Sequence, residues 1–351
     1  MKCRGPAHGP TQVGGSRGGP KTAADRGPKA LGASAVRSVG THPPDKKSEP
    51  LSGTATHRAG FVTIVGRPNV GKSTLLNALL GQKVAIVSAR PQTTRSRIVG
   101  VKQLPDAQIV FIDTPGLHAP KGKLGEFMMK TVEHALEAVD AVIFVAEATE
   151  DPARLDETAL DPLRRLACPV FLCLNKSDLV KDKARLLPLL EIYASRCPFR
   201  ELIPISAATG TNLDRLVEVV VAELPVSPPY YPKESSTDQP ETFFIAEVIR
   251  EQLFHLTYQE VPYACAVQVQ EVKDREGMLS IEAVIFVEQE SQKGIVIGQG
   301  GRMLKRIGQQ ARGTLEAFFG VKVFLRLWVQ VRRNWRRDQA ALREFGYRLT
   351  S

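Results

Sequence analysis

The sequence is poor in the features that mark membrane-spanning, disulfide-bonded and zinc-binding proteins. Its 351 residues contain no apolar run near the length of about 18 residues that a transmembrane helix needs. The five cysteines form no close pairs and the six histidines show no ligand spacing, so neither a disulfide framework nor a zinc site is predicted. Cys168 and Cys173 flank or lie in a predicted buried strand, which favours free thiols in a reducing compartment such as the cytoplasm.

Residues 1–59 are also poor in aromatic and acidic side chains. They carry ten basic and three acidic residues and are rich in Gly, Pro, Ala and Ser, a composition that predicts a disordered basic extension. They have no clear apolar signal core, so secretion is not expected. An organelle-targeting peptide, an incorrectly assigned start codon and a basic tail that touches RNA are three alternatives that the sequence leaves open.

The most informative segment lies between a predicted buried strand at 61–65 and a predicted helix at 73–80 that Gly81 ends. A strand, a glycine-containing loop and a helix in this order form a phosphate-binding loop, because backbone N–H groups and the helix N-terminus converge on an anion. A chance match in a glycine-containing turn is the alternative. The predicted nucleotide-binding residues of this segment are Gly66, Arg67, Pro68, Asn69, Val70, Gly71, Lys72, Ser73 and Thr74.

Within this loop, two side chains carry the expected chemistry. Lys72 is expected to reach the β- and γ-phosphates, and the Ser73 hydroxyl to hold Mg²⁺. Asn69 suggests a further hypothesis: its side-chain oxygen holds a potassium ion near the β- and γ-phosphates, where the ion would act as an arginine finger does elsewhere.

A second motif follows the predicted strand 109–112 and consists of Asp113, Thr114, Pro115 and Gly116. We expect Asp113 to hold Mg²⁺ through a water and the Gly116 N–H to meet a γ-phosphate. The next residue is Leu117, where many small GTPases have a water-orienting glutamine, so intrinsic hydrolysis should be slow. The predicted catalytic residues are Lys72, Thr94, Asp113 and Gly116.

Thr94 belongs to the polar stretch 90–95, between apolar residues 84–87 and 98–101. A threonine there is expected to complete the magnesium shell and to sense the γ-phosphate. Thr94 is the first choice and Thr93 the reserve, and an ordinary polar loop is the alternative.

Two further motifs predict that the base is guanine. Asn175, Lys176 and Asp178 follow the predicted strand 170–174, and a carboxylate at Asp178 can accept the two adjacent donors of guanine, which adenine lacks. Ser206 and Ala207 follow the predicted strand 202–205 and are expected to close over the base. Each short motif alone is also typical of an ordinary turn, but four in order after apolar strands indicate a GTP site.

The composition changes after residue 225. Residues 226–240 are rich in Pro and Ser and predict an extended linker. Beyond it, the pattern predicts a helix at 242–254, a β-hairpin from 264–272 and 279–288, a helix at 303–319 and a strand at 321–331. Residues 298–301 fit the Gly-x-x-Gly loop of a KH domain, which grips single-stranded RNA. The predicted RNA-binding residues are Gly298, Gln299, Gly300, Gly301, Arg302, Lys305 and Arg306.

Charge supports this assignment. The chain has a net charge of +10, and residues 293–351 hold thirteen basic against three acidic residues. Such clustering is the electrostatic footprint expected for a phosphate backbone. A solvated basic surface, or one that faces anionic lipid, is the alternative.

Taken together, residues about 60 to 340 resemble the Era family of bacterial GTPases. The resemblance is carried by the phosphate loop, residues 92–95, 113–116, 175–178 and 206–207, and the loop 298–301. It implies an α/β P-loop G domain at 60–225, a linker at 226–240 and an α+β type II KH domain at 241–351, with GTP and GDP as substrate and product. It further implies binding near the 3′ end of 16S ribosomal RNA, a role in maturing the 30S subunit, and peripheral association with the inner membrane. We expect a cytoplasmic monomer.

Two rival functions follow from single features. Leu117 favours an RNA-binding assembly factor that binds GTP but hardly turns it over. The basic run 332–337 favours a GTPase that binds anionic lipid at a membrane surface.

Overall fold

The computed structural model describes residues 57–120, 122–137, 139–150 and 157–348. The predicted disorder of residues 1–59 falls almost wholly on residues 1–56, which lie outside the described residues. In the described ranges, no helix has the length and apolarity needed to cross a membrane.

The first domain is built on a six-stranded sheet of order β2-β3-β1-β4-β5-β6. Only β2 runs antiparallel, along β3, and the other neighbours are parallel. The central strands are continuous apolar runs because helices cover both faces of the sheet. The strands are β1 (Arg58–Val65), β2 (Ile98–Gln103), β3 (Ala107–Asp113), β4 (Ala141–Glu147), β5 (Val170–Asn175) and β6 (Glu201–Pro204).

Helices pack on the two faces of this sheet in two clusters. The described helices of the domain are α1 (Lys72–Leu80), α2 (Gly122–Glu137), α3 (Glu157–Leu160), α4 (Leu186–Arg196) and α5 (Leu213–Glu223). Apolar residues of α1 and α5 fill one cluster, and those of α2 and α4 fill the other. This arrangement leaves the carboxyl ends of the parallel strands open, which is where such sheets bind ligands.

The second domain is an α+β unit around a three-stranded sheet of order β7-β8-β9. The strand β8 is antiparallel to β7 and parallel to β9, and the predicted hairpin turns at Glu276 and Gly277, both with positive φ. This is the topology expected of a type II KH domain. Its elements are α6 (Glu241–Leu256), α7 (Val261–Ala264), β7 (Ala266–Arg275), β8 (Met278–Val287), α8 (Glu290–Ile297), α9 (Arg302–Phe319), β9 (Lys322–Val331) and α10 (Gln339–Glu344).

The segment 226–240, for which the sequence predicts an extended linker, forms turns and bends without a helix or strand and is attached to the first domain. The buried Gln108 side chain accepts hydrogen bonds from Tyr230 N (2.7 Å) and Tyr231 N (3.0 Å) and donates one to Tyr231 O (2.7 Å). Farther along, Val101 N donates to Ser236 O at 2.9 Å. The segment therefore runs beside β2 and β3 as a strap, a role that proline-rich composition does not convey.

This attachment predicts a stability effect. In Gln108→Leu, one buried N–H group of the strap (Tyr231) and one part-buried N–H group (Tyr230) lose their acceptor, and the loss at a buried group costs about 1–3 kcal/mol. We expect the free energy of unfolding to fall by about 2–4 kcal/mol, measured by urea denaturation. Gln270→Leu, at an exposed position of β7, is the matched control. Equal losses in the two variants would show that the strap contributes nothing.

Candidate functional site

The phosphate loop adopts a backbone that its glycines alone allow. Gly66 has φ 150° and Gly71 has φ 100°. An added Cβ would lie 2.2 Å from Val145 O at the first position and 2.3 Å from the Asn175 side chain at the second. Side chains there would collide with backbone or with a buried amide, so the glycines are required by geometry.

Lys72 is buried at the start of α1, with 6% of its surface exposed. Its Nζ donates to Gly66 O at 3.0 Å and to Arg67 O at 2.8 Å, both carbonyls of the loop itself. Burial lowers the pKa of Lys72 to about 8, and the nearby Asp113 carboxylate opposes that shift. A buried cation whose hydrogen bonds go only to neutral carbonyls is a ready partner for a phosphate oxygen.

Three oxygens converge beside this lysine. Ser73 Oγ donates to Asp113 Oδ2 at 2.6 Å and lies 2.9 Å from Thr94 Oγ1, which is 3.3 Å from the same carboxylate oxygen. Asp113 is fully buried, and among the described residues its Oδ1 has no hydrogen-bond partner. Burial raises the pKa of Asp113 to about 6, against the opposing effect of Lys72. Hydroxyl and carboxylate oxygens with one unsatisfied buried acceptor fit a magnesium ion.

Of the two candidate threonines, only Thr94 reaches these oxygens. The Thr93 hydroxyl donates instead to Arg90 O at 2.8 Å.

The base-binding motifs meet at Asn175, which is 2% exposed. Its Nδ2 donates to Val70 O at 2.8 Å, and its Oδ1 accepts from Ala207 N at 2.9 Å, so one amide joins the phosphate loop to the 206–207 segment. Lys176 pairs with Glu147 at 2.7 Å, and Asp178 is exposed. The structure thus brings three predicted segments together, with the Asp178 carboxylate accessible to a base.

A cavity of about 320 Å³ lies between the phosphate loop and residues 86–94. It is lined by residues of four predicted segments, among them Asn69, Lys72, Ser73, Thr94, Gly116 and Lys176. Thr74 also lines it, as does Pro68. Other predicted residues support the site from outside: Arg67 pairs with Glu150, and the buried Thr114 hydroxyl donates to Ile64 O at 2.9 Å.

The position that lacks a glutamine is explained by packing. The Leu117 side chain packs against the apolar cluster of α2 and α4, and its N–H donates to Gly66 O at 3.0 Å. The next residue, His118, is one that sequence reasoning missed. Its ring bridges Gly116 O (2.7 Å) and the Gln92 side-chain amide (3.1 Å), which joins the 113–116 motif to the loop that carries Thr94.

The second domain holds the loop around Thr94 through two buried arginines that sequence reasoning also missed. Arg95, 3% exposed, donates to the carbonyls of Cys265 (2.7 Å), Tyr263 (3.0 Å) and Pro262 (3.2 Å) around the end of α7. From α6, Arg250 donates to Thr93 O. These contacts fix the backbone on both sides of Thr94. The sequence shows only two arginines, one in each predicted domain, and nothing in it indicates that they meet.

A further contact anchors the start of the same loop. Glu251 of α6 accepts from Val87 N at 3.0 Å and pairs with Lys83 at 2.5 Å. On the other flank of the first domain, Leu124 and Met128 of α2 pack with Trp335 and Phe286 of the second domain. The start of the loop that carries Thr94, and the helix α2 that follows the 113–116 motif, therefore both contact the second domain.

The predicted Gly-x-x-Gly loop joins α8 to α9 through a tight turn. Gly298, Gly300 and Gly301 have φ of 71°, 59° and 78°, a left-handed backbone that favours glycine. The turn is closed by hydrogen bonds from Gly298 N to Gly294 O (2.8 Å) and from Gly301 N to Gly298 O (3.0 Å). Arg302, Lys305 and Arg306 are partly or fully exposed on α9, while Ile307 and Ala311 face the core. The Arg302 guanidinium also bonds the Gln299 side chain. The loop and the first turns of α9 therefore present three cationic side chains on one exposed surface.

Comparison with known proteins agrees with both sites. A family model described as a 50S ribosome-binding GTPase matches residues 61–176, and a KH-domain model matches residues 260–336. The chain is similar to Era in complex with MgGDPNP and nucleotides 1506–1542 of 16S ribosomal RNA, with 42% identity, a TM-score of 0.81, and 84% of this chain and 100% of that chain covered. It is equally similar to an Aquifex aeolicus Era variant bound to GDP and AlF₄⁻, with 42% identity, a TM-score of 0.80, and 83% and 100% covered.

The fold and the first site define a P-loop GTPase, and its second domain is a KH domain. With the whole length of two relatives matched at 42% identity, the chain belongs to the Era family of GTPases. The predicted combination of a G domain and a KH domain is confirmed.

Proposed function

We propose that this protein is a GTP-hydrolysing switch that binds the 3′ region of 16S ribosomal RNA through its KH domain and assists maturation and assembly of the 30S subunit. The observation that carries the proposal is the convergence of Ser73, Thr94 and Asp113 at the phosphate loop, in a chain whose other domain exposes a Gly-x-x-Gly loop. The Era structure that contains a 16S ribosomal RNA segment supports the choice of RNA.

In the nucleotide site, each predicted residue has a proposed role. Lys72 exchanges its loop carbonyls for phosphate oxygens, and the Gly116 N–H contacts the γ-phosphate. Ser73 and Thr94 hold Mg²⁺ directly, and Asp113 holds it through a water. Bound Mg²⁺ supplies charge neutralisation at the β- and γ-phosphates. Asp178 accepts from guanine, while Asn175 keeps the base pocket and the phosphate loop in register.

Hydrolysis depends on what orients the attacking water, and Leu117 is packed in the core. We therefore propose slow intrinsic turnover. The rival function, an assembly factor that binds GTP without turnover, is based on the same residue. The rate of GTP hydrolysis with and without small ribosomal subunits distinguishes the two.

Asn69 is the proposed potassium ligand. Its Nδ2 donates to Ala89 O at 3.0 Å, which orients the amide beside the loop that carries Thr94. Such an ion would add positive charge where the β- and γ-phosphates lie. GTP turnover should then be faster in potassium than in sodium chloride at equal ionic strength, and Asn69→Ala should remove the difference. Equal turnover of the unmodified chain in the two salts would refute the role.

For the RNA site, we propose that Gly298, Gln299, Gly300 and Gly301 let the RNA backbone approach closely. Arg302, Lys305 and Arg306 then neutralise its phosphates. The predicted peripheral contact with the inner membrane has less support. Of the basic run, Arg332 pairs with Glu344 and Arg336 with Glu288, which reduces the charge left for anionic lipid. A cytoplasmic location and a monomeric state remain proposals.

A crossed pair of variants tests the two sites. Lys72→Ala should lower GTP affinity or hydrolysis by about 30- to 150-fold, since a buried charged contact is worth about 2–3 kcal/mol, and should leave RNA binding to nucleotide-free protein intact. Gly298→Asp with Gly301→Asp should do the reverse. Calorimetry with GTP and anisotropy with labelled RNA measure both. A variant of one site that abolishes both activities while staying folded would contradict separate pockets.

We also propose that the two sites communicate through the loop around Thr94, because Arg95 and Arg250 fix that loop to the KH domain. Arg95→Ala removes four hydrogen bonds of a buried charged donor, three to main-chain carbonyls and one to the Tyr347 hydroxyl. It should weaken binding of a GTP analogue in Mg²⁺ about tenfold or more, with a much smaller effect on GDP, which has no γ-phosphate for the loop to sense.

Arg97→Ala is the control for that variant. Arg97 lies two residues away and, in the part of the chain that the structure describes, makes no hydrogen bond to the KH domain. Arg95→Lys should recover part of the affinity. Equal losses for GTP analogue and GDP would mean that Arg95 supports the fold and not the switch.

A further inference from the structure

The outer face of β9 presents two large aromatic side chains to solvent. Phe324 is 47% exposed and Trp328 is 40% exposed, and both alternate with Arg326 along the strand. Because side chains two residues apart share one face of a strand, all three lie on the same surface. Val323 and Val329 point to the opposite face and belong to the core.

Arg326 lies between the two rings. Its guanidinium carbon is 5.5 Å from the Phe324 ring centroid and 5.8 Å from that of Trp328. Glu282 on the neighbouring strand β8 holds the guanidinium at 2.7 Å. The cation is therefore anchored, and the rings on either side of it are held apart. We name Phe324, Arg326 and Trp328 the β9 stack.

The β9 stack has no role in either core. The outer face of β8 is covered elsewhere: Val284 and Phe286 are buried under α2, α10 and Trp335. Phe324 and Trp328 belong to none of the described buried clusters. Aromatic rings left at 40% or more exposure beside a fixed cation form a surface that suits a planar, negatively charged partner.

Two observations identify the partner as single-stranded RNA. Residues 322–337 contain six basic residues and no acidic one. Arg326, Arg332 and Arg336 each pair with a glutamate of another segment, so it is chiefly the other basic residues, Arg333 and Arg337 among them, that leave net positive charge for a phosphate backbone. The helix α8, which ends at the Gly-x-x-Gly loop, packs against β9, so RNA leaving the proposed groove passes the edge of this strand. Phe324 and Trp328 are about 13 Å apart along the strand, which separates two stacked bases rather than clamping one.

We propose that the β9 stack is a second RNA contact, on which two unpaired bases stack while Arg326 meets the intervening phosphate. The proposal rests on RNA binding by the KH domain and extends it to the opposite face of the same sheet. It predicts that affinity for a long RNA exceeds what the Gly-x-x-Gly groove supplies, since that groove clamps about four nucleotides.

The test compares RNA lengths with the full chain. Probes are the 16S segment 1506–1542 present in the Era complex and the shortest fragment of it that the unmodified chain binds. Phe324→Ala with Trp328→Ala should weaken binding of the long segment about 30-fold or more, from two lost stacking contacts, and leave binding of the short fragment unchanged. Leu187→Ala removes another exposed apolar side chain (62%) far along the sequence, on α4, and is the matched control.

Tryptophan fluorescence gives an independent reading. Of the two tryptophans, Trp335 is fully buried and Trp328 is exposed. The long segment should quench the Trp328 emission, and Trp328→Phe should lose the quenching while keeping the affinity. Arg326→Ala should lower the salt dependence of binding by about 0.7 in the log–log slope, whereas the double aromatic variant should leave the slope unchanged.

The outcomes separate this proposal from the function on which it rests. If the variant Gly298→Asp with Gly301→Asp no longer binds the short fragment, that result tests the Gly-x-x-Gly groove and not the β9 stack. Unchanged affinity of the double aromatic variant for the long segment, with no quenching of Trp328, overturns the β9 stack as an RNA contact. Loss of self-association or of a ribosomal protein partner in that variant, with RNA affinity intact, overturns it in favour of a protein interface.

Discussion

The position of one threonine links the two domains of this protein. Thr94 lies within hydrogen-bond distance of Ser73 and Asp113, the side chains assigned to Mg²⁺, and the KH domain holds the backbone on both sides of it. Hydrogen bonds from buried charged donors are worth about 1.5–3 kcal/mol each. A few of them suffice to bias a two-state loop, since about 5.5 kcal/mol inverts a population from one to ninety-nine per cent.

The charges at the nucleotide site explain why a ligand is needed there. Lys72 and Asp113 are both buried, and burial moves both pKa values towards neutrality, to about 8 and about 6. A phosphate beside the lysine and a divalent cation beside the carboxylate supply the partners that each group lacks. Binding energy is thus gained at the two ends of the same cluster, and Thr94 joins that cluster from the loop that the KH domain holds. The chemistry of the site and the contact between domains depend on the same few atoms.

The sequence was sufficient for features that are local in the chain. Gly66, Lys72 and Asp113 could be placed because each motif follows an apolar strand, and parallel strands deliver their carboxyl ends to one side of the sheet. The hairpin, the long helix and the last strand of the KH domain followed from periodicity in the same way. The sequence favoured Thr94 and kept Thr93 in reserve. The contacts of the two hydroxyls in the fold distinguish them.

Features made by contacts distant in sequence could not be predicted. Gln108 is one residue of an apolar strand, and only the fold shows that its amide satisfies the strap more than 120 positions later. In the sequence, Arg95 belongs to a predicted nucleotide loop, but its guanidinium donates to main-chain carbonyls near residue 263. His118 follows a recognised motif but has no spacing rule of its own. The roles of these residues depend on tertiary contacts, which no local sequence pattern encodes.

Thermodynamic linkage between GTP and RNA is the most direct measurement of this account. A binding coupling must be reciprocal: if a GTP analogue with Mg²⁺ changes RNA affinity relative to GDP, RNA must change the preference for the analogue over GDP by the same factor. The four affinities can be measured by calorimetry on one preparation. We predict a matching factor of about five or more in both directions, lost in Arg95→Ala. RNA affinity that is equal with GTP analogue and with GDP would contradict the account.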